Sequence, residues 1–108
     1  MTTAEALRDE GIERAYAAAL EEWKRAAVEA IAEVARRRPE FTTDAVWTIL
    51  DRREVAPPRE PRAIAGVLRA AEKAGVCEKT GRRVNSVLPR GHSRPVMVYR
   101  SKVHVEAP

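Results

Sequence analysis

The chain has 108 residues, of which 44% are hydrophobic, 33% charged and only 5% aromatic, with a single cysteine, Cys77. That is enough for one small core resting on Ala, Val, Leu and Ile, and too little for two full-sized domains. It also excludes an internal disulfide or a cysteine-rich zinc site. The net charge is +4, from 20 Lys and Arg against 16 Asp and Glu, and no apolar run approaches the roughly 20 residues of a membrane-spanning helix.

The N-terminus, TTAEALRDEG, is acidic where a secretory signal would be basic and then apolar, so the expected setting is cytoplasmic, with no membrane partner. The charge is unevenly spread. Residues 1–56 carry 9 basic and 12 acidic side chains, a net of −3, whereas residues 57–108 carry 11 and 4, a net of +7. A basic back half points first to a polyanionic partner.

In chain order, residues 2–38 read as one long helix. Thr2 to Glu5 fits a capping box, with Glu5 reaching back to Thr2. The body is rich in Ala, Glu, Arg and Leu, and its larger apolar residues include Leu7, Ile12, Tyr16, Leu20, Trp23, Ile31 and Val34. Arg36 to Arg38 suit the negative end of the helix dipole, and Pro39 stops the helix. Gly11 is the one expected kink or break. Unbroken, such a helix is roughly 50 Å long at about 1.5 Å per residue, too long for this domain to cover. Residues 1–21 therefore read as an extension that, through a stripe of Leu7, Ile12, Tyr16, Leu20 and the adjoining Trp23, pairs two copies or docks a partner, or folds back at Gly11.

A second helix begins at the N-cap Thr42, with Phe41 and Val46 placed as a hydrophobic staple and Val46, Trp47, Ile49 and Leu50 as its buried face. Two prolines, Pro57 and Pro58, stiffen the following turn. A third helix over about 61–74 has Pro61 in its first turn, Gly75 at C′, and Ile64, Val67, Leu68 and Ala71 at helical spacing. The period then changes. Val76 and Cys77 open a stretch interrupted at Thr80-Gly81, a turn-rich loop spans 89–95, and Val96 to Arg100 reads as a strand. The pair makes a hairpin over about 79–102, followed by a frayed tail at 103–108.

This order of elements, with FTTDAVWTIL, EPRAIAGVLRAAEKAGV and VMVYRS, resembles a winged helix-turn-helix DNA-binding domain over about residues 22–102. More narrowly, it is similar to small uncharacterised proteins of actinobacterial phages and prophages. The resemblance implies an α+β, mainly helical fold: a three-helix core, a C-terminal β-hairpin wing and a long N-terminal helix. It also implies that the third helix enters the major groove of double-stranded DNA while the wing meets backbone or minor groove. On that picture Arg59, Arg62, Ala63, Gly66, Arg69 and Lys73 form the outward face of the third helix, and Arg82, Arg83, Arg90, His92 and Arg94 make the wing basic. The expected role is non-catalytic: a homodimeric regulator of transcription, or a factor in replication or recombination. An adaptor that contacts a replication or host protein is the alternative. Neither a cofactor nor a metal is expected, because no phosphate loop or metal-spaced His/Cys cluster occurs.

Overall fold

In the computed structural model, which describes residues 3–105, the N-terminal stretch is two helices: α1 (Ala4–Ala18) and α2 (Glu21–Arg37). Thr2, expected as the cap, lies outside the described residues. The cap is Thr3, whose Oγ1 accepts from the Ala6 N–H at 3.1 Å. The expectation of one long helix, or of a break at Gly11, is thus corrected. Gly11 lies inside α1, and the break falls at Ala19 and Leu20, both extended. Its cause is tertiary. The chain turns there so that α1 lies along the last helix of the helical half, burying Ile12 and Ala15.

Pro39 ends α2, and the chain passes through a two-residue strand β1 (Glu40–Phe41) into α3 (Thr43–Arg52). Thr42 caps α3 as its sequence position predicts, its hydroxyl accepting from the Asp44 N–H at 3.2 Å. After the proline turn, α4 (Ala63–Lys73) starts two residues beyond Pro61 and ends before Gly75, whose φ of 81° supplies the left-handed residue that a helix terminus favours. Then come β2 (Cys77–Asn85), a single 3₁₀ turn (Pro89–Gly91) and β3 (Pro95–Ser101). The sheet is antiparallel with order β1-β3-β2, so the last strand is the central one.

The result is an α+β domain: four helices and a three-stranded sheet among the described residues. Its core is filled by α2 (Trp23, Ile31, Val34), α3 (Val46, Trp47, Leu50), α4 (Ile64, Val67, Leu68) and the sheet (Phe41, Cys77, Tyr99). Each large side chain contributes about 1.5–3 kcal/mol by leaving water. Aromatics are few but paired. Trp23 and Trp47 join α2 to α3 at 6.2 Å between centroids, and Phe41 stacks on Tyr99 at 5.8 Å across the β1–β3 pairing. None of the helices in the described residues is long and apolar enough to cross a membrane.

Candidate nucleic-acid interface

The basic hairpin is set by its register. Cys77 to Lys79 pair with Ser101 to Tyr99, and Arg83 to Asn85 pair with Met97 to Pro95, so β2 carries two extra residues between Lys79 and Arg83. Thr80 and Gly81 form this bulge. The Thr80 hydroxyl donates to the Val98 carbonyl at 2.8 Å and accepts from the Arg82 N–H at 3.1 Å, while Gly81 stands at φ 85°. The bulge bends the strand. Residues directly opposite in an antiparallel pair share a face, so Lys79 and Arg83 lie on the face of Tyr99 and Met97.

No acidic residue occurs from Lys79 to Lys102, yet acids from elsewhere reach several of the hairpin's cations. Arg82 is hydrogen-bonded to Glu40, whose carboxyl is held below its ordinary range chiefly by that bond. Glu78 takes Arg100 at 3.2 Å and Lys102 at 3.8 Å. Arg90 meets Asp51 at 2.7 Å and sits 4.8 Å over the Trp47 ring. Lys79, Arg83 and Arg94 are exposed and form no ion pair among the described residues. His92 is exposed beside them.

Asp44 ties the tip of the hairpin to α3. Its carboxylate accepts from the Ser86 hydroxyl at 2.7 Å and from the Val87 N–H at 2.8 Å, and Arg90 is bound to α3 as well. The loop 86–94 therefore folds onto α3, with His92 and Ser93 in left-handed conformations turning it back toward β3. Arg94 leaves that loop exposed, next to the start of β3.

The face of α4 expected to read DNA is not open. Ala63 and Gly66, expected outside, are buried, Gly66 beneath Tyr16 of α1. Tyr16 rests on Gly66, so that a Cβ there would stand 2.6 Å from the Tyr16 Cβ. Arg69 is hydrogen-bonded to Asp9 at 2.6 Å. Arg62 leans toward Glu60 at 3.8 Å, while Arg59 and Lys73 are exposed. A cleft of about 600 Å³ separates α1 from the turn before α4, with Arg14, Arg59 and Arg62 set against Glu10 and Glu60.

The same packing accounts for the N-terminal stripe. Ile12 and Trp23 are buried and Tyr16 packs against the core, all within one chain. Only Leu7 and Leu20 of the stripe stay exposed, at 58% and 75%. Of the arrangements expected for this stripe, a second copy, a partner or a fold-back, the chain folds back, at Ala19 and Leu20 and not at Gly11, and so covers Ile12, Tyr16 and Trp23 itself. The fold-back lays α1 on α4.

Reactive side chains are muted. Burial, reinforced by Glu72, pushes the Cys77 thiol up to about 11 and the Tyr99 phenol up to about 12, so both stay protonated near neutrality. Among the described residues no group of three or more His, Cys, Asp or Glu is placed to hold a metal ion.

The sequence locates the cations but not the acids that hold them and the hairpin loop in place. Asp9, Glu40, Asp44 and Asp51 act on residues some 40–60 positions away, and no local pattern carries such pairings. Lys79, at the edge of the basic segment in the sequence, stands with Arg83 on one face. Comparison with family models, curated proteins and solved structures finds no match to this chain.

Proposed function

We propose that this chain is a winged-helix DNA-binding domain that acts by binding alone, its hairpin holding the phosphates of duplex DNA. The topology supports the reading. Helix, short strand, two helices and a hairpin, with the last strand central in the sheet, is the order of elements of that fold. The observation that carries the function is the hairpin's charge: Lys79, Arg83 and Arg94 stand exposed without acidic partners among the described residues, on a segment free of acids. Cations so placed attract phosphate and release its counterions. They fix position on the duplex without reading its sequence.

Because α1 covers α4, the contact in this conformation is to the backbone. A regulator or a replication or recombination accessory factor would start from such binding. Replacing Lys79, Arg83 and Arg94 together with Ala tests it. Affinity for duplexes of unrelated sequence should fall alike, with the fold retained by circular dichroism. Unchanged affinity would remove the hairpin from the interface.

The adaptor reading is favoured by one separate feature. An apolar groove of about 230 Å³ lies between α2 and α4, lined by Val28, Ile31, Val67, Ala71 and Val76, with Val28 53% exposed. Val28→Asp would abolish a protein contact made there and leave DNA binding intact.

A further inference from the structure

The break between α1 and α2 has no cause in the local sequence. Tyr16 to Trp23 reads YAAALEEW, without Gly or Pro and dominated by strong helix formers. Leu20 serves as N-cap of α2, a role leucine fills poorly, and no side-chain bond caps the helix there. Its side chain is three-quarters exposed. Local preference is for one continuous helix, and the observed bend opposes it. Such a conflict marks a segment with two competing arrangements.

What holds the bend is a small set of contacts. Ile12 and Ala15 are the buried residues of α1, and Tyr16 lies on Gly66. Lys24 of α2 reaches back over the Tyr16 ring at 4.5 Å, and Asp9 binds Arg69. The rest of α1 is exposed apart from the half-buried Asp9 and Gly11. The acids of α1 also face the cations of α4. Asp9 occupies Arg69, and Glu13 lines the same cleft as Arg69 and Lys73. The helix covers the basic face of α4 and presents carboxylates to it.

We propose that α1 is a latch over α4: residues 19 and 20 convert between the observed bend and a continuous helix running from α1 into α2, and straightening uncovers Gly66 and Arg69, beside the already exposed Lys73, for duplex DNA. This rests on the DNA-binding reading above and adds the regulation of its second surface. Straightening is what makes release feasible. A detached 15-residue α1 would be a marginal helix in water, whereas as an extension of α2 it needs no new nucleus. Bound DNA replaces Asp9 on Arg69, so DNA and α1 compete for one face.

Two full-length variants push the latch in opposite directions without changing charge. Leu20 has φ −65° and ψ 143°, and Ala19 before it has ψ 146°, values suited to a proline and its predecessor. Leu20→Pro therefore fits the bend and forbids the continuous helix. It should slow amide exchange throughout α1 and lower affinity for a labelled duplex. Ile12→Ser with Tyr16→Ala removes the docking contacts. It should keep or raise helicity, expose the α4 face and raise duplex affinity roughly tenfold or more, the factor expected when a minor binding-competent state becomes the major one. Adding Arg69→Ala should cancel that gain, and adding Leu20→Pro should instead cost the helicity of α1.

The latch is overturned if Leu20→Pro leaves α1 exchange unchanged or faster. It is equally overturned if the released chain loses helicity as much with Leu20 as with proline. If the released chain stays helical but its affinity equals that of the original chain, α4 is not the uncovered surface, and that too overturns the proposal while the hairpin reading stands. Absence of any duplex binding by the original chain at low salt would sink the DNA reading itself, and exchange and helicity would still report whether the bend straightens.

Discussion

Tyr16 lies so closely on Gly66 that a Cβ at position 66 would meet the Tyr16 Cβ at 2.6 Å and its Cγ at 2.7 Å. A glycine inside a helix costs about 1 kcal/mol relative to alanine, and here it permits the approach of α1. Gly66→Ala should therefore lose more through overpacking, about 1–3 kcal/mol, than it gains in helix propensity. In a Tyr16→Gly background, which removes the Cβ, Cγ and ring together, the same change should turn stabilising. Urea unfolding of the four chains checks the sign reversal, and equal effects in both backgrounds would contradict the contact.

Asp44 is the anchor of the loop between β2 and β3, taking the Ser86 hydroxyl at 2.7 Å and the Val87 N–H at 2.8 Å. Asp44→Ala leaves both donors without their acceptor and should destabilise the domain by about 1–3 kcal/mol. Amide exchange should quicken over residues 86–94 while α2 is unaffected. A loop whose exchange does not change would mean that the anchor lies elsewhere.

The alkaline limit of stability should be set at Cys77 and Tyr99. Burial raises their pKa values from 9.0 to about 11 and from 10.0 to about 12. Above its unfolded value each group has lost its proton in the unfolded chain and kept it in the folded one. Unfolding then releases a proton, and stability falls as pH rises. Thermal midpoints should hold below pH 9, decline from about 9 to 12, and decline later in Cys77→Ala. An identical decline in that variant would remove Cys77 from the account.

Where local chemistry decides, the fold is legible in the sequence. Thr42 caps α3, Gly75 closes α4, and the β-branched run at Val96 marks the central strand. Thr80-Gly81, an interruption by sequence, is a bulge within one strand. The bend at Ala19 and Leu20 is not legible, because it satisfies a contact between α1 and α4 against the preference of its own residues. The candidate site divides the same way. The cations can be counted in the sequence, but whether each is free depends on distant acids. Arg69 and Arg90 are held, by Asp9 and Asp51, and Arg83 and Arg94 have no such partner among the described residues. Ala63 and Gly66 are expected outside when one apolar stripe alone orients the helix, whereas α4 is packed on two sides.

The central claim is that the unneutralised cations of the hairpin hold DNA phosphates, and its most direct test is the salt dependence of duplex binding. Fluorescence anisotropy of a labelled duplex, titrated at several salt concentrations, should give a straight log–log decline of affinity for the original chain. In the Lys79, Arg83 and Arg94 to Ala variant the slope should be shallower by about 0.9 for each phosphate that the hairpin no longer neutralises. No binding by the original chain at low salt, or the same slope in both chains, would contradict the account.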